Sequence, residues 1–139
     1  MPQPAGYSGR TLIQKIGLKP NQRLAAIDPP ADYAALMEPL PEGASIRPLG
    51  ADDGPGDAAV VHLFVRGRGD LERAGPRLAA AARPGTALWI SWPKKASPLF
   101  AGVTEDTVRE VMLPTGWVDV KVAAVDADWS ALKLLRRRA

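Results

Sequence analysis

Six polar side chains lie at or just after the ends of two short apolar runs, and their types suit the binding of a small anion. Aspartates follow the run at residues 23–28, and two adjacent lysines follow the run at residues 86–92. Two ammonium groups beside backbone turns could hold a phosphate or a carboxylate, and the aspartates could contact a ligand's hydroxyl groups. The alternative is a solvated lysine pair, with the aspartates pairing with it. The candidate ligand-binding residues are Asp28, Asp32, Ser91, Lys94, Lys95 and Ser97.

Few other residues could carry out chemistry. The 139 residues include no cysteine and one histidine, which excludes disulfides, thiolate catalysis and cysteine-based metal sites. His62 stands in the middle of the apolar run 58–65, and we interpret it as a hydrogen-bonded core histidine rather than a ligand. We therefore expect no metal, and the catalytic residues, if there are any, are unknown from the sequence.

The charge pattern argues against several partners. The formal net charge is +3, and the one dense cationic cluster is Arg136-Arg137-Arg138, which we interpret as a solvated tail rather than a nucleic-acid contact. No apolar run approaches the roughly 18 residues that a membrane span needs, and no secretory signal is visible. With the abundance of alanine, glycine, proline and arginine, these features lead us to expect a cytoplasmic bacterial protein without a membrane or nucleic-acid partner.

Strand-like and helix-like segments alternate along the chain. Six apolar runs predict strands, at residues 23–28, 45–49, 58–65, 86–92, 117–125 and 129–135. Four patterns between and before them predict helices: one capped by Ser8 and ended by Gly17, one at 31–37 capped by Asp28, one at 71–82 kinked at Gly75-Pro76, and one opened by Thr104. The three residues 126–128 are so short a connection that the last two strands must form an antiparallel hairpin.

This alternation predicts an α/β fold, a single-domain Rossmann-like three-layer sandwich with about six strands. Right-handed crossovers give the strand order 2-1-3-4-6-5, mostly parallel, with strand 6 antiparallel. Residues 1–5 are expected to be a flexible tail and residues 6–139 one domain. Ligands of open α/β sheets bind beyond the carboxyl ends of strands. We therefore expect the lysine loop at the switch region between strands 1 and 3, beside the N-terminus of the 31–37 helix.

The order of elements resembles the catalytic domain of class I S-adenosylmethionine-dependent methyltransferases. The likeness covers residues 57–138 and is carried by the strand 58–65, the Pro84-Gly85 turn, the strand 88–92, and Gly116-Trp117-Val118-Asp119 before the final hairpin. It implies a methyltransferase-like scaffold with a terminal antiparallel hairpin.

The first half departs from that family. The turn after the first strand is Asp28-Pro29-Pro30-Ala31-Asp32, without the glycines that let the backbone of these methyltransferases approach the cofactor. The acidic residue usual within that strand is Ala26 here, and residues 49–58 are too few for the family's helix–strand–helix insertion. We therefore expect a degenerate, truncated scaffold with no cofactor, on which S-adenosylmethionine binds weakly or not at all.

A second resemblance spans nearly the whole chain, to a family of short bacterial proteins known only as a domain of unknown function. It is carried by Gly6-Tyr7-Ser8-Gly9, His62-Leu63-Phe64-Val65, Ser91-Trp92-Pro93-Lys94-Lys95-Ala96-Ser97 and Val118-Asp119-Val120-Lys121. This resemblance implies no activity and no site residues.

Three hypotheses for the function follow. The first is a non-catalytic module on a degenerate methyltransferase-like scaffold that binds a small anionic ligand. The second is an active S-adenosylmethionine-dependent methyltransferase with an atypical cofactor loop. The third is a homo-oligomeric interaction protein, for instance a homodimer formed through the uncovered edge strand 45–49, because an exposed edge invites pairing. The glycine-free turn favours the first hypothesis over the second.

Overall fold

A computed structural model describes residues 11–137, which form four helices and six strands. The helices are α1 (Leu12–Ile16), α2 (Tyr33–Leu36), α3 (Arg68–Ala81) and α4 (Glu105–Met112), and a 3-10 turn (Leu113–Thr115) follows α4. The strands are β1 (Arg23–Ile27), β2 (Ser45–Leu49), β3 (Val60–Phe64), β4 (Ala87–Pro93), β5 (Trp117–Ala124) and β6 (Trp129–Arg136). The predicted tail, residues 1–5, lies outside the described residues.

The six strands form one sheet in the order β2-β1-β3-β4-β6-β5. β2, β1, β3 and β4 are parallel to one another, whereas β6 is antiparallel to both β4 and β5. The predicted order and the antiparallel hairpin are confirmed. Right-handed crossovers account for the strand order, and the short connection between β5 and β6 accounts for the antiparallel hairpin.

The two faces of the sheet are covered by different helices, which makes the fold three-layered. Side chains alternate along each strand, so each buried strand sends one set of residues to α1 and α2 and the other to α3 and α4. The first face includes Leu24, Val60, Phe64 and Trp89, and the second includes Ile27, Val61, Leu63, Leu88 and Ile90. Burial on both faces explains why these strands are continuous apolar runs.

The ends of the longer helices follow local capping chemistry. Thr104 caps α4 as predicted, and its hydroxyl accepts a hydrogen bond from the Thr107 amide. α3 begins at Arg68, three residues before the predicted start, and contains Pro76. α1 ends at Gly17, whose φ of 85° suits glycine. Its cap is Thr11 in a capping box with Gln14. The prediction of Ser8 as that cap is wrong, and Ser8 itself lies outside the described residues.

The helix after β1 differs most from expectation. α2 is a single turn, and the residue before it is Asp32, not Asp28. The prediction that Asp28 caps this helix is wrong, because four residues, two of them prolines, separate Asp28 from Tyr33 and Asp32 takes the N-cap position. Asp28 instead has a φ of 55° and turns its side chain toward Arg66.

A chain of three polar side chains crosses the core on the α1–α2 face. The Tyr33 hydroxyl lies 2.8 Å from His62 Nδ1, and His62 Nε2 lies 2.6 Å from Ser91 Oγ. The Phe64 ring stacks on the imidazole at 4.3 Å between centroids. His62 and Ser91 are fully buried, and burial lowers the pKa of His62 to about 3 and raises the pKa of Tyr33. The interpretation of His62 as a hydrogen-bonded core histidine is confirmed.

The docking of α1 can be tested at Trp89, whose indole N–H donates to the Ile16 carbonyl at 3.1 Å in the buried core. We expect Trp89→Phe to lower the free energy of unfolding by about 1–3 kcal/mol beyond the loss of ring volume, because the carbonyl is left unpaired. Urea denaturation measures this. Trp92→Phe is the matched control, since the Trp92 indole N–H has no hydrogen-bond partner within residues 11–137. Equal losses in the two variants would contradict the prediction.

The buried imidazole predicts a pH dependence of stability. As pH falls from about 6.5 toward 3, the unfolded chain takes up a proton at His62 that the folded chain, with a pKa of about 3, does not. We expect the free energy of unfolding to fall by up to about 1.4 kcal/mol per pH unit over this interval and to be independent of His62 above it. His62→Gln, which cannot titrate, is the control in denaturation curves from pH 7 to 4. The same slope in both proteins would contradict the prediction.

Candidate functional site

The topological switch point of this sheet lies between β1 and β3. The chain leaves β1 toward β2 on one side, while β3 and β4 follow on the other side. In open α/β sheets this is where the crevice for a ligand opens, beyond the carboxyl ends of the two strands. The candidate site is therefore the space between the turn after β1 and the turn after β3.

An arginine from the end of β3 spans this crevice. Arg66 Nη1 lies 3.0 Å from the Asp28 carboxylate and also donates a hydrogen bond to the Asp28 carbonyl. The guanidinium lies over the Trp129 ring, 5.1 Å from its centroid. The Arg66 and Asp28 side chains are 42% and 46% exposed, so the bridge forms the surface of the crevice rather than its buried floor.

The turn after β1 offers few amide donors to this crevice. Pro29 and Pro30 have no N–H, and the Asp28 amide donates to the Leu49 carbonyl at 2.8 Å. The Tyr33 amide is bonded to the Pro30 carbonyl. Asp32 is exposed, and its side chain makes no capping hydrogen bond. α2 is also too short to contribute a helix dipole, so the expected positive N-terminus beside the site is not formed.

The lysine loop lies elsewhere. The Lys94 amide donates to the Asp128 carbonyl at 2.8 Å, and the Ser97 hydroxyl donates to the Asp128 carboxylate at 2.9 Å. These bonds fix the loop to the β5–β6 turn. The expectation that it emerges at the switch region between the first and third strands is therefore wrong, because the antiparallel partner β6 holds it on the far side of β4.

Lys94 and Lys95 line a shallow cavity of about 290 Å³. Its other lining residues are Trp92, Val103, Thr104, Glu105 and Ser130. Within residues 11–137, neither lysine forms an ion pair. Glu105, at the start of α4, instead pairs with Arg109.

The six predicted residues thus occupy three separate places. Lys94 and Lys95 share the cavity beside α4, and Ser97 is held nearby by Asp128. Asp28 and Asp32 flank the turn after β1 and do not line that cavity. Ser91 is buried against His62, away from either surface. Arg66 was not among the six candidate residues, although an arginine directly after a buried strand was a signal for it.

The edge strand has one feature that bears on assembly. β2 is the outer strand next to β1, as predicted. Ser45 and Leu49 direct their backbone groups toward β1. The backbone groups of Ile46 and Pro48 therefore point away from β1, toward the open edge of the sheet. Pro48 has no N–H to offer there, which weakens pairing through this edge. A homodimer stays a prediction.

The described residues contain neither a metal-binding cluster nor a membrane-spanning helix. No group of histidine, aspartate and glutamate side chains in residues 11–137 could hold a metal ion. None of the helices in the same range is both long and apolar enough to span a membrane.

Comparison with known proteins supports the fold. No protein-family model and no curated protein matches the chain, so the resemblance to the short bacterial family stays a prediction. The chain is similar to human N-acetylserotonin methyltransferase in complex with S-adenosylmethionine, with a TM-score of 0.67 and 13% identity over 94% of this chain and 52% of that one. The chain thus spans about half the length of that enzyme.

Two bacterial structures extend the comparison. An S-adenosylmethionine-dependent methyltransferase from Aquifex aeolicus matches with a TM-score of 0.63 and 12% identity over 88% of this chain and 86% of that one. A ribosomal protein L11 methylase from Lactobacillus delbrueckii subsp. bulgaricus matches with a TM-score of 0.61 and 11% identity over 91% of this chain and 75% of that one. The chain has a methyltransferase-like Rossmann fold.

Proposed function

We propose that this chain is a non-catalytic, methyltransferase-like module whose crevice is closed by its own side chains. The observation that carries the proposal is the Arg66–Asp28 bridge, which joins the ends of β3 and β1 across the switch point. The methyltransferase-like neighbours include structures solved with S-adenosylmethionine bound. In this chain the Arg66 guanidinium and the proline turn lie at the switch point, which is where open α/β sheets bind their ligands.

The bridge has two anchors that make it costly to displace. Arg66 is paired with the carboxylate of Asp28 and bonded to its carbonyl, and its planar head rests on Trp129. A cofactor entering here would have to break a charge-assisted contact and leave the aspartate unpaired. The exposure of the pair moderates that cost, because solvent screens partly exposed charges.

Three polar groups of the described residues that could act as bases or nucleophiles lie inside the core and not in the crevice. Tyr33, His62 and Ser91 are bonded to one another inside the core and are at most 3% exposed. An imidazole with a pKa near 3 stays neutral at physiological pH, and a group enclosed in this way cannot reach a substrate. This arrangement supports a non-catalytic reading over an active methyltransferase with an atypical loop.

Calorimetry with S-adenosylmethionine tests the closed crevice. We expect no saturable heat from the wild-type chain up to about 1 mM cofactor. A dissociation constant in the micromolar range would overturn the proposal and favour the active methyltransferase. The variant Arg66→Ala, with Arg68→Ala as a surface control, then shows which part of the crevice prevents cofactor binding. If only Arg66→Ala gains cofactor binding, the arginine prevents binding in the wild type. If neither variant binds the cofactor, the glycine-free turn prevents it.

The small anion that we expect for this module would bind in the cavity beside α4. Lys94 and Lys95 carry two positive charges without carboxylate partners within residues 11–137, so an anion there would not have to displace an existing pair. Asp28 and Asp32, which we expected either to contact the ligand or to pair with the lysines, lie outside this cavity. Glu105 is the nearest acidic lining residue, and Arg109 offsets its charge.

A thermal-shift screen of nucleotides, phosphosugars and adenosyl compounds tests the lysine cavity. We expect an anion to raise the midpoint of unfolding by about 2 °C or more in the wild type, and the rise to disappear in the double variant Lys94→Ala/Lys95→Ala. The double variant Lys19→Ala/Arg83→Ala removes the same charge from exposed positions elsewhere and should keep the rise. Equal rises in all three proteins, or none in any, would contradict a site at these lysines.

A further inference from the structure

A groove on the α3–α4 face of the sheet, at its β2 edge, lies away from both the crevice and the lysine cavity. It has a volume of about 430 Å³ and lies between β1, β2 and the segment 53–58. Register pairs place Arg23 beside Ser45 and Ala25 beside Arg47, and paired residues in a sheet point to the same face. The groove is therefore lined by two arginines from adjacent strands, with Ala25 and Leu49 between them and the segment 53–58.

The groove exists because the chain between β2 and β3 crosses this face without a helix. Residues 50–59 contain only turns and extended backbone, whereas α3 and α4 cover the rest of the same face. A loop of this length can bury Pro55 and Ala58 but cannot fill the space above β2. Its volume falls within the range of about 300–1,000 Å³ typical of small-molecule pockets.

The walls of the groove are fixed rather than loose. Arg77 of α3 donates to the carbonyls of Ala51 and Asp53, at 2.8 and 2.9 Å. The Asp53 carboxylate accepts from the Gly50 amide at 2.7 Å, and the Ala59 amide donates to the Arg23 carbonyl at 3.0 Å. Both ends of the loop are thereby tied to the sheet and to α3, so a ligand would meet a preformed surface.

The charges select the ligand. Arg23 Nη1 contacts both carboxylate oxygens of Asp57 at 3.2 Å, which neutralises that pair. The Asp53 carboxylate accepts a hydrogen bond from the Gly50 amide of its own turn. Arg47 is exposed and has no ion-pair or hydrogen-bond partner within residues 11–137. A guanidinium held on a strand, with an apolar strip beside it, suits a carboxylate or phosphate on a small apolar body.

We propose that this groove is a binding site for a small organic anion, with Arg47 holding the charged group and Ala25, Leu49 and Pro55 contacting the apolar part. The site lies on a different sheet face from the Arg66–Asp28 bridge, so it does not depend on whether the crevice is closed. Carboxylates and phosphates share the chemistry that Arg47 recognises, and the experiment separates them.

Amide chemical shifts of the ¹⁵N-labelled chain test the proposal with phenyl phosphate and benzoate as probes, and with benzyl alcohol and inorganic phosphate as partial probes. We expect at least one of the two aromatic anions to cause saturable shifts at Ala25, Ser45, Gly54 and Gly56. The two partial probes should bind about tenfold more weakly, because each lacks either the charge or the apolar part. The aromatic anion with the lower dissociation constant shows whether the groove prefers a phosphate or a carboxylate.

Variants make the test specific. Arg47→Ala should weaken binding of the tighter anion about tenfold or more, and Arg83→Ala, an exposed arginine at the turn before β4, should leave it unchanged. Arg47 has no partner to lose, so its variant should keep the wild-type unfolding midpoint. Equal weakening by both variants, shifts confined to Lys94–Ser97 or to the crevice, or no saturation with either aromatic anion below about 10 mM would each overturn the proposal.

Discussion

Burial of the central strands on both faces is the constraint on which this structure depends. β1, β3 and β4 have helices or a loop above and below them, so a polar side chain on these strands must find its partner inside the protein. His62 meets this requirement with Tyr33 on one side and Ser91 on the other. Trp89 meets it by donating to the carbonyl at the end of α1. These bonds hold α1 and α2 against the sheet.

The same constraint sets what the surface can do. Tyr33 is the one residue of α2 that is buried, and its bond to His62 holds this single turn against β3. Fixing α2 also fixes the proline turn that precedes it. Asp28, at the start of that turn, then stands within reach of Arg66 at the end of β3. The hydrogen bonds of the core and the Arg66–Asp28 ion pair are in this way consequences of one packing arrangement.

Much of the fold could be predicted because its signals are local. Continuous apolar runs identify strands buried on both faces, and the three residues between Val125 and Trp129 require a hairpin. Gly17 and Thr104 mark helix ends through backbone conformation and capping, which a few neighbouring residues decide. The strand order then follows from connection lengths and handedness, since few alternatives satisfy both.

The candidate site was harder to predict because it depends on contacts distant in the sequence. Arg66 and Asp28 are 38 residues apart, and only the pairing of β1 with β3 brings them together. The position of Lys94 was predicted wrongly for a similar reason, since the loop's position depends on Asp128 in the distant hairpin. Ser91 is polar and close to the lysines in sequence, but strand alternation turns it to the buried face beside His62.

The ten-residue connection between β2 and β3 affects the sheet at two places. On the face of α3 and α4 it leaves β2 uncovered, which opens the groove beside Arg47. At the carboxyl ends of the strands, Arg77 holds that connection by its carbonyls, while Arg66 holds the end of β1. The short connection therefore leaves an arginine-lined surface open on the sheet, while the switch point holds the Arg66–Asp28 ion pair. If the protein binds a small anion, the anion meets less competition at Arg47 or at the two lysines, which have no carboxylate partner within residues 11–137, than at Arg66, which is already paired with Asp28.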